Sequence, residues 1–139
     1  MKLSSSRKSS GGRNALRERQ RRDRALAPAM RVRYPQFASL RLECEFTDGG
    51  VTAPAPHVMV MHPPAPAFFL FPCPYTDCDG EFDLTAAVAD LARDGGTQCD
   101  GQMRCAGHRS PDRNGRTPCQ LTLDYALQAT VLIPGAAGH

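Results

Sequence analysis

With 139 residues, 6% aromatics and no tryptophan, the chain is bounded to one domain with a modest apolar core. Its net charge of +3 hides a split. Residues 1–33 hold eleven Lys/Arg against Glu18 and Asp23, a net of +9, whereas residues 34–139 hold six bases against twelve acids, a net of −6. No apolar run approaches the ~20 residues that span a bilayer, and no apolar segment of signal-peptide type follows the basic start. The expectation is a cytoplasmic protein with no membrane contact, whose six cysteines stay reduced; clustered reduced thiols bind metal more often than they form disulfides.

Residues 1–33 read as a basic, disordered tail and residues 34–139 as the folded domain. Within the tail, residues 14–27 are compatible with a helix capped by Asn14 and ended by Pro28. Its few apolar residues, Leu16, Leu26 and alanines, give it little to dock with. Three readings of the tail stand side by side: a solvated segment, an arginine-rich segment that orders on RNA or DNA, or a misplaced start with Met30 as the true first residue. The Arg/Ala/Gly/Pro bias suits the last.

Leu40, Leu42, Cys44 and Phe46 alternate with Arg41, Glu43 and Glu45, which predicts a half-buried strand with Cys44 as a small buried hydrophobe. His57–His62 is a second strand with a surface histidine at each end, and Ala67–Phe71 a third. Asp83 or Thr85 caps a helix that carries Leu84, Val88 and Leu91 on one face and stops at Gly95-Gly96. Residues 97–118 read as a loop with a short extended piece near Met103-Arg104, because Gly101, Gly107, Pro111, Asn114-Gly115 and Pro118 are turn formers. Cys119 opens the longest alternation, with Leu121, Leu123, Tyr125, Leu127, Ala129, Val131 and Ile133 on one face. These elements predict an α+β fold, a small antiparallel sheet with one helix.

Five cysteines fall between residues 73 and 119. The favoured tetrahedral set is Cys73, Cys78, Cys105 and Cys119 around zinc: Cys73 follows a strand, Cys119 precedes one, and Cys78 and Cys105 each stand two residues before a glycine. A glycine there can take positive φ and aim its N–H at the sulfur. Cys99 is an alternative to Cys105, and His108 an alternative to Cys119. Idle buried thiols or a Cys73–Cys78 redox pair are the non-metal readings. Four thiolates leave zinc no open position, and the deaminase and His-Glu-x-x-His signatures are missing, so no catalysis is expected. Asp77, Asp79, Glu81 and Asp83 read as a solvated acidic rim or, for Asp83, a helix cap.

On Phe71-Pro72-Cys73-Pro74, Cys78–Leu84, Cys105–Arg109 and Cys119–Tyr125, the stretch from Phe37 to Ile133 resembles an uncharacterised bacterial zinc-ribbon-like domain family. The resemblance implies zinc on those four cysteines and no known reaction. The expected function is a non-catalytic structural zinc module that binds macromolecules, with a protein partner for the acidic body and nucleic acid for the basic tail. The alternative is a redox- or metal-responsive protein that uses Cys99 as a spare thiol.

Overall fold

The computed structural model describes residues 2–49, 51–52, 55–112 and 115–132, with side chains for 13–49, 55–110 and 115–132. Ile133, placed by its alternation on the apolar face of the last strand, lies outside the described residues. The elements in chain order are α1 (Lys2–Leu26), α2 (Met30–Arg33), β1 (Phe37–Asp48), β2 (Val51–Thr52), β3 (His57–Met61), β4 (Leu70–Pro72), β5 (Glu81–Asp83), α3 (Thr85–Arg93), β6 (Gln98–Arg104), β7 (His108–Asp112), β8 (Gly115–Pro118) and β9 (Leu121–Val131). The fold is α+β with small antiparallel sheets. Among the described residues, no helix is long and apolar enough to cross a membrane.

The main sheet is built on β1. Its partner along the whole length is β9, from Phe37↔Val131 to Asp48↔Leu121; β2 and β3 share the other edge of β1, and β6 pairs with β9. The alternation of β1 and β9 sorts the faces, since successive side chains on a strand point opposite ways. Leu40, Leu42, Phe46, Leu121, Leu123 and Leu127 are buried on one side, and α3 adds Val88 and Leu91 to that core. Cys44 joins them as a buried thiol, and burial pushes it up to about 11. Arg41, Glu43, Asp100, Asp124 and Gln128 share the opposite face with Val58 and Val60, which are exposed. His57 and His62 are exposed at either end of β3.

α3 ends as its glycines foretell. Gly95 has φ +69° and donates to the Ala92 carbonyl, while Gly96 donates to Leu91. At its start, Leu84 holds the N-cap position, and Asp83 Oδ1 accepts from the Thr85 N–H at 2.9 Å. Phe82 and Asp83 belong to β5. The third strand is shorter and later than the apolar run suggests, β4 at Leu70–Pro72.

Three larger differences from the sequence reading have physical causes. Residues 98–104 form the full edge strand β6, not a loop, because Gly101 lies opposite Tyr125, whose ring occupies the space of the missing side chain. A Cβ at Gly101 would lie 2.7 Å from Tyr125 Cζ. Gly101→Ala is therefore expected to destabilise the protein by ~1–3 kcal/mol, the usual range for overpacking. Thermal melting checks this, and an unchanged midpoint would mean that the ring swings away freely.

Residues 28–33 are part of the body. Met30 is 1% exposed, and its N–H donates to the Ala65 carbonyl at 2.7 Å. Tyr34 next to it stacks on Phe37 with ring centroids 5.6 Å apart. Helix α1 is docked as well, where composition suggested a solvated tail. It starts at Lys2, so Asn14 is an interior residue and not its cap. Arg13, Leu16 and Gln20, spaced three and four apart, form one inward stripe. Leu16 is 7% and Gln20 6% exposed.

A four-cysteine cluster between two hairpins

The chain brings two loops together at one end of the main sheet. The first is the β4–β5 hairpin, where Pro72 pairs with Glu81 and residues 73–80 form the tip. The second leaves the sheet at Arg104, paired with Thr122, carries the β7–β8 hairpin, and returns at β9. Strand ends thus fix Cys73, Cys105 and Cys119, while Cys78 sits in the tip of the first loop.

The two loops answer each other in their backbone bonds. In the first, the Cys73 N–H donates to the Gly80 carbonyl at 3.0 Å; in the second, the Cys119 N–H donates to the Gly107 carbonyl at 2.9 Å. Gly80 N–H reaches Cys78 Sγ at 3.3 Å, and Gly107 N–H reaches Cys105 Sγ at 3.4 Å. These N–H···S bonds are the ones expected from the Cys-x-Gly spacing. The expected reason for glycine is not: neither Gly80 nor Gly107 has positive φ. The two glycines pack back to back instead. A Cβ on Gly80 would lie 2.9 Å from Gly107 Cα and would overlap Cys105 Sγ. A Cβ on Gly107 would overlap Gly80 Cα and N. Steric room, not conformational freedom, demands glycine at both positions.

The ligand atoms of Cys73, Cys78, Cys105 and Cys119 all lie within 4.8 Å of one another, and all four residues are buried. Cys78 and Cys105 Sγ are 3.6 Å apart, Cys73 and Cys119 Sγ 4.0 Å. A tetrahedron with metal–sulfur bonds of about 2.3 Å has edges of about 3.8 Å, so the pairs bracket the spacing an ion requires. A disulfide would need about 2.05 Å, and all six cysteines are free. The four cysteines could therefore hold a metal ion.

The electrostatics of the bare cluster follow from crowding four thiols. Hydrogen bonding to Cys105, then burial, push Cys73 far up; burial pushes Cys78 up to about 12 and raises Cys119. Cys105 is held well below the ordinary thiol value, first by the hydrogen bond from Cys73. An ion entering this site displaces the remaining protons.

Neither alternative ligand belongs to the cluster. Cys99 lies near the far end of β6, six residues and about 20 Å of strand before Cys105. Burial, then the neighbouring Asp100 and Asp90, raise its thiol. His108 is exposed, and its backbone N–H is bound by Asp79 Oδ1 at 2.8 Å.

Three of the alternating carboxylates, Asp77, Asp79 and Glu81, are tethers rather than a solvated rim. Asp77 accepts from Arg109 at 3.0 and 3.1 Å, and Asp79 from Arg116 at 2.9 Å, which tie the first loop to the β7–β8 hairpin. Glu81 accepts from Gln20 at 2.7 Å and Arg19 at 3.2 Å on α1. Arg13 completes the attachment of that helix. Its Nη1 donates to the carbonyls of Cys73, Tyr75 and Cys78 at 2.9–3.0 Å. Loop N–H groups turn inward to sulfur, so loop carbonyls turn outward, and one guanidinium nitrogen gathers three of them. The spacing of apolar residues carries no trace of this contact. Only the combination of Arg13 and Gln20 with Leu16 on one stripe signals it.

Tyr75 is the remaining anchor of the first loop. Its hydroxyl donates to Asp48 Oδ2 at 2.6 Å, and Arg109 Cζ sits 3.8 Å from its ring centroid. The hydrogen bond to Asp48, then burial, push the phenol up from 10.0 to about 12. The folded protein thus holds this proton more tightly than the unfolded chain. The contribution is complete below pH 10 and is lost as pH rises through about 12. In an alkaline titration followed by tyrosinate absorbance, Asp48→Ala is expected to ionise earlier than the wild type. Superimposable curves would show that the Asp48 bond has no hold on Tyr75.

No protein-family model, curated protein or solved structure was found to match this chain.

Proposed function

We propose that this chain is a non-catalytic zinc module, zinc-ribbon-like in its two facing hairpin loops, whose function is to present its surface to other macromolecules. The observation that carries the reading is the buried quartet of Cys73, Cys78, Cys105 and Cys119 with sulfurs at tetrahedral spacing. Zinc suits an all-thiolate donor set. Four thiolates would close its coordination shell and leave no position for a water nucleophile, so the ion staples the fold rather than acting on a substrate. The carboxylates around it are engaged with Arg109, Arg116, Arg19 and Gln20, which favours a supporting role over acid–base chemistry.

Bound metal in protein purified without chelator tests the reading. One zinc per chain, retained in Cys99→Ser and lost in Cys105→Ser, is expected. No metal, or metal lost equally from both variants, would overturn it. The remoteness of Cys99 from the cluster favours this module over one that trades a spare thiol into the shell.

A further inference from the structure

Five arginines of α1 fall into two groups. Arg13 and Arg19 face the body and are bound to it. Arg17, Arg21 and Arg24 follow at spacings of four and three on an exposed stripe beside them. Arg21 holds Glu18 at 2.9 Å, whereas Arg17 and Arg24 have no acidic partner among the described residues. The stripe runs into an open hollow of about 330 Å³, rimmed by Arg21 and Arg24 and floored by Ala25, Ala29, Pro64 and Pro66. The floor is fixed: Ala29 bridges Pro66, and the Ala67 N–H binds the Pro28 carbonyl at 2.7 Å. Arg24 lies over the Phe68 ring, Cζ 5.0 Å from the centroid, so one face of its guanidinium is occupied and its N–H edges stay free. Arg31 and Arg33 extend the exposed positive charge past the hollow.

We infer that this stripe and hollow bind the sugar–phosphate backbone of single-stranded nucleic acid, with bases resting on the Ala–Pro floor. The inference rests on the reading of the chain as an interaction module and names its partner. Guanidinium groups match phosphate oxygens geometrically. A positive track beside apolar platforms is the usual design of sequence-tolerant single-strand sites. Sheet residues Glu43, Asp100 and Asp124 put acidic charge on a separate face, which directs a polyanion to α1. A membrane surface is disfavoured, because over residues 13–26 the helix has no apolar face to insert: Leu16 is turned into the body and Leu26 stands alone at the end.

The test uses the full chain and a labelled oligothymidylate of roughly a dozen nucleotides, read by fluorescence anisotropy. Binding is expected at about 50 mM salt, weakening with a log–log salt slope of about −0.7 per phosphate neutralised. Combining Arg17→Ala, Arg21→Ala and Arg24→Ala should cut affinity at least about tenfold and flatten the slope by up to about 2. Alanine keeps the helix, and circular dichroism with zinc content on the same samples verifies it. Arg41→Ala, on the other face, should bind like the wild type. Failure to bind, equal binding by the triple variant, or equal affinity for duplex DNA, phosphatidylserine vesicles or polyglutamate would each overturn the inference. Zinc content separates the two readings: a zinc-loaded chain that ignores the oligonucleotide sinks only this one, and a zinc-free chain sinks the metal reading whether or not it binds.

Discussion

On the zinc reading proposed above, adding a chelator is expected to remove the cooperative thermal transition of this protein. Among the described residues, the cysteine cluster joins the first hairpin to the long connection between β6 and β9 beside the Asp77–Arg109 and Asp79–Arg116 ties, the His108 N–H bond to Asp79 and a few backbone bonds. Those two ion pairs involve partly exposed side chains, and such pairs contribute at most about 1 kcal/mol each. A structural zinc site contributes apparent values of about 10–16 kcal/mol, as large as the whole stability of a typical domain at about 5–15 kcal/mol. Without the ion, four buried thiols remain whose shared hydrogen bonds are weak. Cys73→Ser, Cys78→Ser and Cys119→Ser should each lose zinc and melt without a sharp transition, as Cys105→Ser should. Acid should do the same reversibly, since the ligands must be thiolates to hold the ion. Calorimetry with and without a chelator decides the matter: coincident transitions would mean that the hairpins hold each other without metal.

The second large effect is expected from one methyl group. Gly107→Ala places a Cβ inside the backbone of Gly80, and Gly80→Ala places one against Cys105 Sγ and 2.9 Å from Gly107 Cα and N. The two glycine backbones cannot swing aside as a side-chain end can, and Cys105 Sγ is held in the buried cluster. Relief requires the two hairpin tips to move apart, and the N–H···S bonds to Cys78 and Cys105 lengthen with them. The cost should reach about 3 kcal/mol, the upper part of the range for overpacking. Zinc affinity should fall about 10–100-fold, as when groups supporting a metal ligand are displaced. Gly96→Ala is the comparison, because its Cβ would meet only Leu91 Cδ1 at 3.4 Å. Competition against a colorimetric zinc chelator measures the affinities. If Gly107→Ala holds zinc as tightly as Gly96→Ala, the close approach of the tips has no bearing on the site.

Much of the frame was readable from residue order. The alternations of β1 and β9, the glycine stop of α3 and the four cysteines set before glycines or at strand ends all depend on local spacing, and local spacing survives into the fold. What escaped depends on partners distant in sequence. Gly101 carries turn composition, and only Tyr125, twenty-four residues on, makes it a strand residue. Asp77, Asp79 and Glu81 look like solvated charge until Arg109, Arg116 and Arg19 are placed beside them. Helix α1 has almost no apolar stripe, so its docking through Arg13 and Gln20 leaves no hydrophobic period to find.

The seating of Arg13 in the first loop has a thermodynamic corollary. The three carbonyls it gathers belong to residues 73–78, between two of the four sulfurs, and they converge only while that loop holds its shape. Whatever factor the ion adds to the docking constant of α1, α1 must return to the binding constant of the ion. Shortening the chain from its basic end would then register as weaker zinc binding, although no sulfur ligand has been touched.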